Sequence, residues 1–174
     1  MASLTAFCHW LEGTQASIAL HESIWVYPIV ESLHVLTLFV FLGMTVMLDL
    51  RLLGAIMRSA PVSRLIQHFM PWMIGGFVVM MVTGVLLFYA VPVKTWFNIF
   101  FRLKLAALVA AGLNAGVFHI MASHTLPQWD RDARPPIRAR LAGGLSLALW
   151  AIIVVCGRLS AYDWFDKDLA SLAR

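Results

Sequence analysis

Apolar residues gather into four long runs along this chain, at about 24–48, 68–91, 101–122 and 141–161, and most charges fall between them. Each run approaches the ~20 residues that a helix needs to cross the hydrocarbon core of a bilayer. The pattern predicts an all-α integral membrane protein, a four-transmembrane-helix bundle forming one membrane domain over residues 1–174. Residues 1–22 are predicted to stay outside the membrane as a short interfacial helix, with Phe7, Trp10 and Leu11 as its apolar side. They lack the basic start and long apolar stretch of a signal peptide, and they contain Glu12.

Prolines and aromatic residues punctuate the runs. Pro28 falls near the start of the first crossing, Pro71 is expected in the first turn of the second, and Pro92 closes it. Pro61, Pro127, Pro135 and Pro136 are expected in the two loops of one side. Trp25, Tyr27, Trp72, Tyr89, Trp96, Trp129, Tyr162 and Trp164 lie close to predicted helix ends, where an interfacial aromatic belt belongs.

Composition narrows the class. The chain is 61% apolar and 13% charged, with a mean hydropathy of +0.82. Soluble domains are about 25% charged, and four crossings leave little chain for a soluble catalytic unit. Arg51, Arg58, Arg64, Arg131, Arg134, Arg138 and Arg140 fall on one side of the predicted membrane. Lys94, Arg102, Lys104, Arg158, Lys167 and Arg174 fall on the other, with Glu12, Glu22, Glu31, Asp163, Asp166 and Asp168 balancing them. The arginine-rich loops are expected in the cytoplasm, which puts both termini on the periplasmic or external side of a bacterial inner membrane. The same loops account for the pI of about 9.5, so no nucleic-acid partner is implied.

The chemistry of interest lies inside the runs. Glu31 and His34 share one helix face, and continuing that stripe takes in Tyr27, Thr45 and Asp49. Ionisable groups at membrane depth are costly and mark function by default. Depth reckoning at 1.5 Å per residue puts Lys104 and Arg158 level with His34, while His119 lies roughly 18–20 Å away along the bundle. A metal–nitrogen bond is only about 2 Å long, so His34 and His119 belong to separate sites. His68 is expected beside His119, and these three histidines are the candidate metal ligands. Asp49 is placed at the membrane boundary, leaving Glu31 as the clear intramembrane carboxylate. Ala107, Ala111 and Ala115, with Gly112 and Gly116 beside them, admit either a neighbouring helix or a flat ligand. Cys8 and Cys156 show no metal spacing and are expected to be unpaired thiols.

Several strings carry resemblances. SIWVYPIVESLHVLTLFVFLG, DLRLLG, LKLAALVAAGLNAGVFH and GRLSAY together resemble a family of small, uncharacterised bacterial four-helix membrane proteins over nearly the whole chain. A first-helix histidine, followed by a third helix that opens with Trp and Lys-Leu and ends in histidine, more loosely resembles the copper-resistance D and oxygen-independent protoporphyrinogen oxidase relatives. The matching positions are His34, Trp96, Lys104, Leu105 and His119. That resemblance implies haem binding through His34 and Lys104. Glu31 and the long N-terminal segment depart from its pattern.

The expected function is a membrane b-type haem protein for electron transfer, exchanging electrons with quinone or a membrane partner. His34 is the expected haem ligand and His119 either the ligand of a second haem or part of the inner helix interface, with Lys104 and Arg158 for propionates or a quinone anion. Glu31 would orient a ligand or handle protons, and Tyr27 and Trp96 would line the outer edge. Competing readings are a non-catalytic anchor of a larger complex, an oligomeric proton or ion transporter, and a porphyrinogen-oxidising enzyme. Membrane lipid, a redox or complex partner, and further copies of the chain are the expected partners.

Overall fold

The four apolar runs become four membrane-spanning helices in the computed structural model, which describes residues 2–162. In chain order the elements are α1 (Ala2–Glu12), α2 (Gln15–Glu22), α3 (Val26–Leu52), α4 (Val62–Ala90), α5 (Pro92–Phe97), α6 (Ile99–Trp129) and α7 (Ile137–Leu159). The spans are α3, α4, α6 and α7. The longest, α6, has 31 residues, so it extends about 46 Å against a hydrocarbon core of ~30 Å. The extra length lies mostly at the end carrying the loops 53–61 and 130–136. There α4 starts at Val62 with Pro61 as its N-cap, so Pro71 lies within the helix and not in its first turn. Pro127, expected in a loop, lies within α6.

The opposite end is covered by short helices. The N-terminal segment forms two helices where one was expected, broken at Gly13 and restarted by Thr14, whose side chain accepts from Ser17 N at 3.3 Å. Thr14 and Tyr89 share a hydroxyl–hydroxyl hydrogen bond of 2.9 Å, and Ser17 donates to the Tyr89 carbonyl at 2.8 Å. These bonds tie α2 to the end of α4, while α1 packs on α5. Cys8 is fully buried in this cap, whereas Phe7 and Trp10 stay exposed, as an interfacial segment requires. Both cysteines are free and buried.

The spans stand in the order α4, α3, α7, α6, with extensive packing between neighbours, while the α4 and α6 backbones stay apart and are bridged by side chains such as the stacked Phe88 and Phe101 rings, 5.6 Å apart. Lipid is as apolar as a leucine side chain, so close approach of backbones matters more here than in water. Gly143 supplies it between α7 and α3: a Cβ there would lie 3.0 Å from the Asp49 carbonyl oxygen and 3.1 Å from Leu52 Cβ. One apolar cluster joins Phe41, Met80, Ala107, Ala111, Trp150 and Ile153 at mid-depth. A second joins Leu48, Leu52, Val62, Leu65, Trp129 and Ala139 at the loop end. Trp25 and Trp72 are exposed, but Trp129 is core and donates its indole N–H to Thr125 at 3.2 Å.

Both loops of that end are stitched together. Arg51, with 0% of its surface exposed, donates to the Ala60 carbonyl at 2.9 Å and the Asp132 carbonyl at 3.1 Å. Asp130 caps α4 from the other loop, accepting from Ser63 N at 2.6 Å and from the Ser63 hydroxyl at 2.7 Å. Gly54 adopts φ +73°, which brings it to where a Cβ would lie 3.0 Å from the Ala133 carbonyl oxygen. Trp164 of the expected aromatic belt, with Asp163, Asp166, Lys167, Asp168 and Arg174 of the charge count, lies outside the described residues.

Candidate functional site

His34 on α3 and Thr83 on α4 meet in the cap half of the bundle, with Nδ1 and Oγ1 2.8 Å apart. Thr83 has one hydroxyl hydrogen and donates it to the Val79 carbonyl at 2.7 Å, with the Met80 carbonyl at 3.2 Å. Its oxygen therefore accepts from the imidazole. That assigns the proton to Nδ1 and leaves Nε2 with a free lone pair, as an inference from the hydrogen-bond network. Gly84 lies against the ring, where a Cβ would stand 3.4 Å from His34 Cε1. Lys104 on α6 is half-buried, runs along Gly157 of α7, and lies close enough to His34 for the two charges to interact.

The remaining expected members of this site go elsewhere. Glu31 is exposed, and His34 pairs with Thr83 in its place. Tyr27 is half-buried near the membrane surface, within reach of the charges on Glu31 and Lys94 and edge-on to His21. Arg158 is exposed and turned to Tyr162, donating to its hydroxyl at 2.8 Å with the guanidinium 5.1 Å from the ring centre. Trp96 is half-buried in α5. Of the expected cluster of Glu31, His34, Lys104 and Arg158, the fold leaves Lys104 within electrostatic range of His34.

The loop half holds a cavity of about 360 Å³ where α4 and α6 stand apart. Its walls include Phe41, Phe77, Phe118 and Trp150, and Gly112 and Ala115 of the expected small-residue ridge. His119 lines it from α6, although that side chain is exposed. Asp49 lines it from α3 with 5% of its surface exposed, and its Oδ2 has no hydrogen-bond partner. Ser146 of α7 stands beside the carboxyl, and Asn114 lines the same wall while donating to the Ala142 carbonyl at 3.0 Å. His68 is exposed on α4 against Phe69 and does not line this cavity.

Two participants were not assigned to a site from the sequence. Thr83 is the only hydroxyl on α4 at the depth of His34, so antiparallel depth matching could have found it. Asp49 sits on the stripe of His34 and Thr45, and the stripe was the better guide than its distance from the apolar run's end. Among the described residues, no three His, Cys, Asp or Glu side chains gather to hold a bare metal ion. With Nδ1 engaged by Thr83, Nε2 is the atom of His34 that could take a ligand, and Lys104 lies within electrostatic range of it.

Four spans around an interior polar pair and a separate cavity define a small integral membrane protein with two candidate sites. The chain belongs to DUF6644, a family of unknown function, whose model matches residues 10–163. No curated protein and no solved structure matches it.

Proposed function

We propose that this protein is a b-type haem protein of the bacterial inner membrane that transfers electrons, with His34 as iron ligand. The observation carrying the reading is the 2.8 Å contact between His34 Nδ1 and Thr83 Oγ1, with the Thr83 hydroxyl already donated to the Val79 carbonyl, from which we infer a proton on Nδ1 and a bare Nε2. Ligating histidines use their second nitrogen in this way, since it sets the tautomer and the ring's direction. Lys104 would pair with a propionate, and the looser resemblance to oxygen-independent protoporphyrinogen oxidase relatives points to these same two residues. When bound, haem supplies one-electron exchange. Thr83 and Gly84 orient the imidazole, Lys104 compensates negative charge, and the surrounding apolar helices exclude water. The arginine-rich loops would face the cytoplasm, leaving the capped end and His34 nearer the periplasmic side. A redox partner or further copies of the chain would receive the electrons.

The test is the absorption spectrum of detergent-purified protein made with ample haem, oxidised and dithionite-reduced, with haem counted per chain. A reduced b-type spectrum that His34→Ala removes, in protein that still assembles, is the expected result. Colourless wild-type protein, or a spectrum unchanged in His34→Ala, would overturn the assignment; co-purification of colourless protein with a larger complex would favour the anchor reading.

A further inference from the structure

We infer that the cavity between α4 and α6 is a binding site for a membrane-dissolved quinol, with Asp49 accepting a hydrogen bond from a ring hydroxyl. The cavity lies in the loop half, away from His34, and its occupation does not depend on haem at that residue.

Access comes first. Between the apolar cluster at the loop end and the Phe88–Phe101 stack at the cap end the α4 and α6 backbones stay apart, and the cavity wall there includes Ile74 and Phe77, which are exposed on α4. A ligand can therefore enter sideways from the bilayer and leave an apolar tail in the lipid. The walls also suit a ring. Phe41, Phe77, Phe118 and Trp150 offer flat apolar faces, and Gly112 offers open space where a side chain would otherwise stand. A volume of about 360 Å³ lies at the small end of ligand pockets. It is suited to one substituted ring, and the chain attached to that ring would remain outside.

Polarity then selects the ligand. A buried carboxyl with an unpartnered oxygen is costly in any low-dielectric surrounding. Asp49 Oδ2 has that environment within an otherwise apolar chamber. It calls for a hydrogen-bond donor, so it disfavours ionised fatty acids and phospholipid phosphates. Among the described residues no lysine or arginine lines the cavity to reverse that preference. Polar groups also come from more than one side: Asp49 from α3, Ser146 from α7, and Asn114 and His119 from α6. A ring with oxygen at both ends uses such a distribution, whereas a simple alcohol or sterol uses only one group. The Asn114 amide is already committed through Nδ2 to Ala142, which leaves its carbonyl oxygen and the His119 imidazole for the second ring oxygen.

The experiment compares two probes on the full chain in nanodiscs: a decyl-chain benzoquinol, and the same molecule with both hydroxyls methylated. Ring and tail are shared, but the dimethyl ether cannot donate. Wild-type protein should bind the quinol at least tenfold more tightly, because a site built around a hydroxyl rejects an analogue without one. Asp49→Leu should bring the two affinities within about twofold of each other. Gly112→Leu puts a side chain into open space, so the fold should tolerate it while both probes bind at least tenfold more weakly. Equal wild-type binding of the two probes would mean that the cavity takes any apolar chain, and would overturn the inference. Discrimination retained in Asp49→Leu, or unaltered binding in Gly112→Leu, would overturn it too. The readout is equilibrium binding and needs no colour. The same discrimination is expected in His34→Ala, so failure of the haem reading and failure of this one are separately visible.

Discussion

Thr83→Val tests the His34 arrangement with one nearly isosteric change. The substitution keeps the branched shape in a position only 4% exposed and deletes the oxygen that accepts from Nδ1–H at 2.8 Å. Two effects follow, of different size. As an interhelical hydrogen bond in a membrane, the pair contributes about 0.6 kcal/mol on average and up to ~1.7 kcal/mol, so thermal stability should fall only modestly. As the partner that orients a metal-ligating histidine, its removal typically costs about 10–100-fold in affinity, or roughly 1.4–2.7 kcal/mol. Freed of Thr83, the imidazole can rotate or change tautomer, and each option would withdraw Nε2 from a bound haem's iron. Haem titrated into the stripped protein and followed at the Soret band gives the affinity, with thermal unfolding of the haem-free form as the parallel reading. Thr83→Ser, which keeps the hydroxyl, should bind haem nearly as wild type does. Affinity within twofold of wild type for Thr83→Val would refute the orienting role.

Two further predictions concern the scaffold. Gly143→Val drives side-chain atoms into the Asp49 carbonyl 3.0 Å from the Cβ position, which cannot retreat without moving α3. Overpacking of this kind costs about 1–3 kcal/mol or more, so the melting temperature should fall, whereas Gly116→Val, with nothing within 4 Å, should leave it unchanged. Cys8 lies in α1, outside the spans, where burial and then the Glu12 carboxylate push its thiol above the ordinary value. The protonated form is thereby favoured at neutral pH. In Cys156→Ser protein, maleimide labelling of Cys8 should stay slow until the pH passes the ~8.5 of a free thiol, and a half-point at or below that value would contradict this.

The four spans were legible because apolar length is a direct physical requirement of the bilayer. Their ends were less so: the helices continue past the apolar runs wherever a partner satisfies the backbone, as Asp130 does for α4. Pro71 shows the same limit, since a helix starting at Val62 turns a first-turn proline into an interior one. Depth reckoning brought His34 and Lys104 to one level, and in the fold Lys104 lies within electrostatic range of His34. Depth says nothing about azimuth, however, so Arg158, on the same level by sequence, and Glu31, nearer the surface, are both exposed. Asp49 is the reverse case, a group near the end of a run that the packing of α7 buries. The gap between α4 and α6 has no sequence signature beyond the small residues of α6, because it arises from how four helices share their contacts.

The loop-end clamp has a consequence for biogenesis. Packing is most extensive within α3–α4 and within α6–α7, so each pair can enter the bilayer as a helical hairpin soon after synthesis. Arg51 and Asp130, however, each reach across to the other hairpin, Arg51 to Asp132 and Asp130 to Ser63. These bonds can close only once the second hairpin has inserted. Until then the Arg51 guanidinium and the α4 N-terminus face water and lipid headgroups. The clamp thus acts as a late latch in assembly, and a ribosome paused before residue 130 would hold a first hairpin that is inserted but still unfastened.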